Sequence, residues 1–230
     1  MKAICIIPAK KNSNRVPNKN ITSFYGKPMI AHVITRLKKS NCFKEIFVST
    51  DSKKIKKIAE KYGAKVPFIR SKKLSGNYTK TAEVIADAIH KLKKDYEFEV
   101  VCCVYPTSIF ISPKIIKKAM KILVDKKIKF VFSAKKYEHP IKRAFIINKS
   151  KIKPVNKKNF FKRTQDLTDY YYDAGQFYIS NFKNFIKKKS QFDLPSKAII
   201  FKNLESIDID TKEDLRNAKN IFKLKINKWK

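Results

Sequence analysis

Short apolar segments alternate with amphipathic segments along the chain up to residue 134. Runs of mostly apolar residues predict buried strands at residues 3–7, 45–49, 66–69, 99–105 and 130–134. Between them, apolar residues that recur every three or four positions predict helices at residues 28–38, 52–62, 79–93 and 112–125. This alternation predicts an α/β fold with a doubly wound, mostly parallel sheet.

Polar residues and glycine mark several of the predicted helix ends. Ser112 is followed by a proline, which is typical of an N-cap with proline in the first turn. Gly63 stands where a helix would end in a left-handed residue. Thr211, with Asp214 three residues later, indicates a capping box that opens a terminal helix over residues 211–224.

The pattern changes after residue 137. Strands are predicted at residues 143–148, 175–180 and 198–201, but the stretch from 150 to 172 has little amphipathic order. We therefore expect a single domain over residues 1–230, interrupted by an insertion at about residues 138–173.

The length and the apolar content of the chain limit its class. It has 230 residues, enough for a sizeable core, and no apolar run of about eighteen residues that would span a membrane. The N-terminus lacks the zones of a signal peptide, so we expect a cytoplasmic protein. The four cysteines have no zinc-like spacing and are expected to be reduced thiols.

The formal net charge of +35 raises the question of nucleic-acid binding. The excess consists of lysines that are scattered over every predicted helix, whereas specific readers of nucleic acid usually rely on arginine and exposed aromatic residues. We therefore expect no specific nucleic-acid partner, although nonspecific contact with polyanions should follow from the charge.

A polar loop follows the first predicted strand. In open α/β folds, phosphates bind at the carboxyl edge of the sheet. They are held there by cations, hydroxyls and amides of the loops that follow the strands. The alternative is a solvated basic turn. The candidate residues in this loop are Lys10, Lys11, Asn12, Ser13, Arg15, Lys19 and Asn20.

Two aspartates lie close to the other end of the chain. If residues 206–210 form a strand, Asp208 and Asp210 share one face, and Ile207 and Ile209 point the other way into the core. Two converging carboxylates suit Mg²⁺, which keeps several waters and bridges phosphate oxygens. The alternative is an acidic strand end that precedes the cap at Thr211.

Several motifs together resemble one family. Ile7-Pro8-Ala9-Lys10, Pro17-Asn18-Lys19-Asn20, Val48-Ser49-Thr50-Asp51 and Ser206-Ile207-Asp208-Ile209-Asp210-Thr211 are similar to the signature of the sialic-acid-type cytidylyltransferases, in the family's order. The resemblance implies a fold of the nucleotide-diphospho-sugar transferase type and transfer of CMP from CTP to a nine-carbon 2-keto sugar acid, with Mg²⁺ as cofactor. It also implies a role in surface polysaccharide biosynthesis and a homodimer that is paired through the projecting arm at residues 138–173.

The resemblance also assigns roles on the nucleotide side. Lys19 is expected at the reacting phosphate, and Asp208 and Asp210 at the metal. The residues expected to bind CTP are Lys10, Asn12, Ser13, Arg15, Asn20, Arg70, Thr79 and Thr81. The family usually has arginine at the position of Lys10. Lysine keeps the positive charge but cannot donate two parallel hydrogen bonds as arginine does. Asp51 is interpreted as a cap of the helix at Ser52, with a contact on the sugar side as the alternative.

On the sugar side the chain resembles the branch that uses pseudaminic acid. Tyr105 stands where sialic-acid enzymes have glutamine, and residues 163–167 and 172–178 are similar to that branch. Arg163 or Lys142 is expected to take the carboxylate. Acetylneuraminate and legionaminate remain alternative substrates, and a nonenzymatic polyanion-binding protein is the alternative of a different class. The expected sugar-binding residues are Tyr105, Thr107, Lys142, Arg163, Asp173 and Gln176, each of which could instead be structural.

Overall fold

The computed structural model describes residues 2–13, 16–202 and 204–225. The strands within these residues are β1 (Ala3–Pro8), β2 (Ser23–Phe24), β3 (Lys27–Pro28), β4 (Glu45–Ser49), β5 (Val100–Val104), β6 (Phe130–Lys136), β7 (Phe145–Asn148), β8 (Lys151–Pro154), β9 (Tyr171–Asn181) and β10 (Ser196–Phe201). The helices are α1 (Met29–Ser40), α2 (Lys53–Lys61), α3 (Thr81–Leu92), α4 (Pro113–Ile122), α5 (Lys157–Phe160), α6 (Phe182–Ile186) and α7 (Lys212–Lys225).

Six strands form the central sheet in the order β10-β6-β9-β5-β1-β4. β1 runs parallel to β4 and β5, and β10 runs parallel to β6, whereas β9 is antiparallel to both of its neighbours. The prediction of a doubly wound, mostly parallel sheet is confirmed, with β9 making the sheet mixed.

Side chains of the central strands alternate between two cores on opposite faces of the sheet. Cys5 and Ile7 of β1 pack with apolar residues of α1, α2, α4 and α7. Ile4 and Ile6 of the same strand pack with α3 and α6. This period of two places a helical layer on each face. The carboxyl ends of the parallel strands remain open between the layers.

Local chemistry explains most of the helix ends. The side chains of Ser52 and Ser112 accept hydrogen bonds from the backbone amides three residues later. Thr211 and Asp214 form the reciprocal capping box, and Gly63 follows α2 with φ +89°. The interpretation of Asp51 as a helix cap is wrong, because Ser52 performs that role.

Two of the predicted strands are absent as strands. Around residues 66–69 the described chain forms only two isolated bridges, from Lys65 to Phe47 of β4 and from Ile69 to Thr50. Residues 206–210 pair with no strand, because β10 ends at Phe201 and the chain then turns away from the sheet. Ile209 is nevertheless fully buried in the core, as the alternation predicts.

The segment after β6 leaves the central sheet. It contains a separate two-stranded sheet of β7 and β8, the short helix α5, and little buried surface. This is the region in which the sequence predicts an insertion, and its pairing role stays a prediction. Among the described residues no helix is long and apolar enough to cross a bilayer, and the four cysteines are free thiols.

Candidate active site

A cleft of about 400 Å³ lies where β1 and β5 end. Open α/β sheets bind ligands at this edge, because loops diverge there and leave a crevice. The cleft collects side chains from segments that are far apart in the sequence. Ten of the predicted site residues line it: Lys10, Ser13, Lys19, Asn20, Arg70, Thr79, Thr81, Tyr105, Thr107 and Asp210.

The loop after β1 forms one wall of the cleft. The Asn20 side-chain amide donates to the Lys10 carbonyl at 2.8 Å and closes the loop on itself. The Lys10 ammonium donates to the Asn77 side chain at 3.3 Å across the cleft. Asn12 is exposed and is not among the residues lining the cleft, and Arg15 lies outside the described residues. The loop thus presents a cation and a hydroxyl to an anionic ligand.

Lys19 joins the two ends of the chain at the cleft. Its ammonium donates to the Ile209 carbonyl at 2.6 Å and to Asp210 Oδ1 at 3.2 Å. The Lys19 side chain is 17% exposed and that of Asp210 is 34% exposed, so water only partly screens the pair. A fixed cation and a fixed carboxylate therefore stand side by side in the cleft.

Asp208 and Asp210 line different cavities in this structure. Asp208 is exposed and lines a neighbouring cavity of about 370 Å³, with Lys135 and Tyr172. The expected strand face does not form here, because residues 206–210 have no strand partner. Lys135 donates to the Ser206 carbonyl at 3.5 Å and Lys19 to that of Ile209, so lysines hold this segment at both ends.

The described part of the chain has no cluster of three or more histidine, cysteine, aspartate or glutamate side chains that could hold a metal ion. The predicted ligands are the carboxylates of Asp208 and Asp210, which are oxygen donors. That donor set fits Mg²⁺ better than zinc, because Mg²⁺ prefers oxygen ligands and takes the rest from water and phosphate.

The other end of the cleft contains Arg70. Its side chain is 3% exposed, its Nε donates to the Ser75 hydroxyl at 3.3 Å, and Asp51 lies 3.8 Å from its guanidinium. Burial lowers the pKa of Arg70, and the negative charges of Asp51 and Asp87 oppose that shift. Thr79 lines the same region of the cleft. A rigid buried guanidinium is suited to recognising a planar acceptor.

Tyr105 also lines the cleft, just after the end of β5. Its hydroxyl is 3.0 Å from the Thr81 hydroxyl, and its ring meets Tyr178 edge to face at 6.0 Å. Burial is the main cause that raises the pKa of Tyr105 to about 12, so the phenol stays protonated at neutral pH. Tyr105 and Thr81 also line a smaller, mainly apolar cavity of about 200 Å³ that adjoins the cleft.

Asp173 lies at that smaller cavity and not in the main cleft. One of its carboxylate oxygens accepts hydrogen bonds from the Tyr178 hydroxyl at 2.8 Å and from the Gln191 side chain at 3.1 Å. The other accepts from the Gly175 amide at 2.9 Å. The carboxylate is thus engaged with the protein at both oxygens and holds the Tyr178 ring against Tyr105.

Besides Asp173, three more predicted sugar-binding residues lie outside the cleft lining. Gln176 is buried where the register between β9 and β6 is irregular, and its side chain donates to the Ala174 carbonyl at 2.8 Å. Arg163 pairs with Asp166 at 2.9 Å, and Lys142 lies 5.3 Å from the centre of the Tyr170 ring. Arg163 and Lys142 both belong to the segment between β6 and β9, which leaves the central sheet.

Sequence reasoning missed Asn77 and Tyr178, and it misassigned Asp51. Asn77 lies in an irregular loop, Tyr178 has the spacing of an ordinary strand residue, and Asp51 precedes a helix as capping residues do. Only the folded chain brings Asn77 to Lys10, Tyr178 to Asp173 and Asp51 to Lys11.

A family model and several known proteins match this chain over nearly its whole length. The family model described as "Cytidylyltransferase" matches residues 4–227. The chain is 38% identical over 226 residues to a pseudaminic acid cytidylyltransferase of Campylobacter jejuni, with 97% of each chain covered. It is 34% identical to the CMP-N,N'-diacetyllegionaminic acid synthase of Legionella pneumophila, again with 97% of each covered.

A solved CMP:2-keto-3-deoxy-manno-octonic acid synthetase in complex with CTP has the same fold. It superposes with a TM-score of 0.72 at 15% identity and covers 98% of this chain and 100% of its own. The 4-diphosphocytidyl-2C-methyl-D-erythritol synthase of Anaerococcus prevotii superposes with a TM-score of 0.62 at 17% identity, with 96% and 98% covered. At these identities the likeness establishes the fold, which is that of the nucleotide-diphospho-sugar transferases.

Proposed function

The chain belongs to the cytidylyltransferase family, and on that premise we propose that it transfers CMP from CTP to pseudaminic acid and releases pyrophosphate. The observation that carries the proposal is the cleft in which Lys10, Lys19, Arg70 and Asp210 meet at the carboxyl edge of the sheet. The 38% identity to pseudaminic acid cytidylyltransferases over nearly the whole chain supports the choice of sugar.

The reaction requires a sugar hydroxyl to attack the α-phosphate of CTP in line with departing pyrophosphate. Negative charge grows on the phosphate oxygens, so the protein contributes mainly cations and positioning. Lys19 is assigned to the reacting phosphate because its ammonium is fixed between Ile209 and Asp210. Lys10 and Ser13 line the same cleft on the loop after β1 and are assigned to the rest of the triphosphate, with Asn12 and Arg15 assigned to the same loop by resemblance.

Asp210 in the cleft and Asp208 in the neighbouring cavity are the residues that would hold Mg²⁺, and the fit rests on their carboxylate oxygens. When bound, Mg²⁺ would neutralise charge on the phosphates. Asp210 also keeps Lys19 in place, so its substitution has a second consequence that does not depend on metal.

The cytidine end of CTP is assigned to the buried part of the cleft. Arg70 can donate to a carbonyl of the base, and Thr79, Thr81 and Asn20 line the same cleft. The guanidinium is held by Ser75 and Asp51, so little conformational entropy is lost when it binds.

The sugar acid is assigned to the side of the cleft formed by Tyr105 and Thr107. The adjoining cavity beside Tyr178 and Asp173 offers an apolar space with polar groups at its margin. Asp173 acts there by orienting Tyr178, and Gln176 acts through its backbone carbonyl, to which the Tyr105 amide donates at 3.3 Å. Substituents of the sugar ring are expected to enter this cavity.

We further propose a homodimer paired through residues 138–173. Ile146, Ile147 and Ile152 on β7 and β8 are each more than half exposed, and apolar surface of this kind marks an interface. The partner is a second copy, which would bring Arg163 and Lys142 of one subunit toward the sugar end of the other subunit's cleft.

A nonenzymatic polyanion-binding protein is the alternative of a different class, supported only by the charge of +35. The two functions are distinguished by an assay of pyrophosphate release. The assay contains CTP, Mg²⁺ and one of the sugar acids pseudaminate, legionaminate or acetylneuraminate. The proposal predicts release that requires all three components and is fastest with pseudaminate. Release that is absent with every sugar acid contradicts the enzymatic function, and faster turnover of legionaminate or acetylneuraminate contradicts the assigned substrate.

A further inference from the structure

The residues that follow β4 connect two parts of the cleft that are separate in sequence. Asp51 Oδ1 accepts a hydrogen bond from the Lys11 backbone amide at 2.7 Å. The same oxygen lies 3.8 Å from a terminal nitrogen of Arg70. The Arg70 backbone amide also donates to the Thr50 carbonyl at 2.8 Å. One carboxylate oxygen therefore touches both the loop after β1 and the buried guanidinium.

The helix that follows does not need this carboxylate. The Ser52 hydroxyl accepts the hydrogen bond from the Ile55 amide at 3.3 Å and caps α2 by itself. Asp51 faces the cleft loop, with a side chain that is 20% exposed. Its contacts thus concern the two binding segments rather than the start of the helix.

A nearby negative charge stabilises the buried guanidinium of Arg70. Its side chain is almost fully buried, and a buried guanidinium without a counter-charge is unfavourable. Asp51 is the larger of the two carboxylate influences on its pKa, ahead of Asp87. The Arg70 hydrogen bond to Ser75 orients the side chain but brings no charge.

We propose that Asp51 is a positioning residue that fixes the loop after β1 and Arg70 at one spacing, so that a single nucleotide can bind to both through its triphosphate and its base. The inference rests on the proposed function, since that function assigns phosphates to the loop and the base to Arg70. Lys19 and Asp210 are held by each other and by Ile209, so the reacting end does not depend on Asp51.

Two substitutions separate the two contacts. Asp51→Asn keeps an oxygen that can accept from the Lys11 amide but removes the charge that faces Arg70. Asp51→Ala removes both. Asp125→Asn is the matched control, because Asp125 Oδ1 also accepts a backbone amide, that of Lys127, at 2.9 Å, in the turn after α4. Thermal unfolding of each variant shows whether the fold is kept.

The measurement is calorimetric binding of CTP and of inorganic tripolyphosphate, together with KM and kcat for CTP. We expect Asp51→Asn to weaken CTP about tenfold and to leave tripolyphosphate within about twofold, because only the base contact is disturbed. We expect Asp51→Ala to weaken both ligands and to raise the CTP KM by about 10- to 100-fold, with kcat at saturation within about threefold. The control should match the wild type.

An Asp51→Ala protein that is folded and has the same CTP KM as the Asp125→Asn control overturns the inference, as does a fall in kcat with KM unchanged. An equal loss of CTP and tripolyphosphate affinity in Asp51→Asn also overturns it, because the charge would then not act through the base. A wild-type protein that binds no CTP contradicts the proposed function instead, so the two failures are distinguishable.

Discussion

The Lys19 ammonium lies 3.2 Å from Asp210 Oδ1, although the two residues are 191 positions apart in the sequence. The loop after β1 and the segment before α7 therefore meet at one point in the cleft. A cation held by a carboxylate keeps its position when a phosphate arrives and does not need to be ordered at that moment. This contact joins the assigned phosphate site to the assigned metal site.

Substitution of either aspartate tests the metal assignment. Asp208→Asn and Asp210→Asn should each reduce turnover by a factor that corresponds to several kcal/mol of barrier, because metal-borne charge stabilisation is lost. Both side chains are partly or fully exposed, so the fold should persist. Turnover is measured as pyrophosphate release against Mg²⁺ concentration, with Asp125→Asn as control. Near-normal rates in both variants would show that the pair does not hold the metal.

A change in ionic strength should alter the affinity for CTP but not the preference among sugar acids. With a formal net charge of +35, the affinity for CTP should fall as ionic strength rises, because the field of the lysines is screened. The preference among sugar acids should not change, because it depends on short-range contacts. Measuring CTP KM and the ratio of kcat/KM for two sugars from about 50 to 500 mM salt tests both statements. Tight, sequence-selective nucleic-acid binding at physiological salt would contradict this account of the charge.

Tyr105 is predicted to select the sugar. Its phenol has a single O–H to donate and is 3.0 Å from the Thr81 hydroxyl, whereas a glutamine amide would offer two N–H donors and a carbonyl acceptor. Tyr105→Gln should weaken the preference for pseudaminate over acetylneuraminate, while the CTP KM should move little. The readout is kcat/KM for both sugars in each protein. An unchanged preference in the variant removes Tyr105 from the specificity argument.

The raised pKa of Tyr105 also has a consequence for stability. The neutral phenol is favoured in the folded protein, so its contribution is fully present below the unfolded pKa of about 10 and is lost as pH rises through the folded value of about 12. Between pH 9 and pH 11 the unfolding free energy of the wild type should therefore fall by about 1 kcal/mol more than that of Tyr105→Phe. Denaturant titration at both pH values measures it, and parallel losses in the two proteins would contradict the burial of this hydroxyl.

The exposed strands β7 and β8 should carry the dimer contact. Ile147→Lys and Ile152→Lys should shift the protein toward monomer, because each places a charge in an apolar interface. Val124→Lys is the matched control, since Val124 is similarly exposed outside this segment. Sedimentation gives the oligomeric state. A wild-type protein that is already monomeric at high concentration would contradict the pairing role.

Much of the fold follows from patterns that the sequence displays directly. The strands at β1, β4 and β5 and the first four helices are continuous apolar or amphipathic runs, and their ends carry local signals such as Ser112. Residues 66–69 and 206–210 alternate in the same way, yet neither forms a strand. Beside the free edge of β4 the described residues form only two isolated bridges, and Pro67 between them has no backbone amide to donate to a ladder. The antiparallel direction of β9 is also invisible in the pattern, since its residues alternate equally in either direction.

Residues that belong to motifs of the resembled family reach the cleft. Lys10, Lys19, Arg70 and Asp210 all line one cleft, as the spacing and resemblance suggested. The contacts made by Asn77 and Asp51 were not predictable, because they depend on how loops are placed after folding. The burial of the Gln176 side chain beside the irregularity in β9 was not predictable for a related reason, and its role at the sugar stays a prediction.

The most direct test of the whole account is the mass of the product formed from CTP, Mg²⁺ and pseudaminate, compared between the wild type and Lys19→Met. We predict that the wild type makes CMP-pseudaminate in equal amount to pyrophosphate. In a folded Lys19→Met protein we predict that the rate falls by about 100-fold or more, because the fixed charge at the reacting phosphate is gone. Absence of a CMP-sugar with the wild type, or an equal rate in the variant, would contradict the central claim.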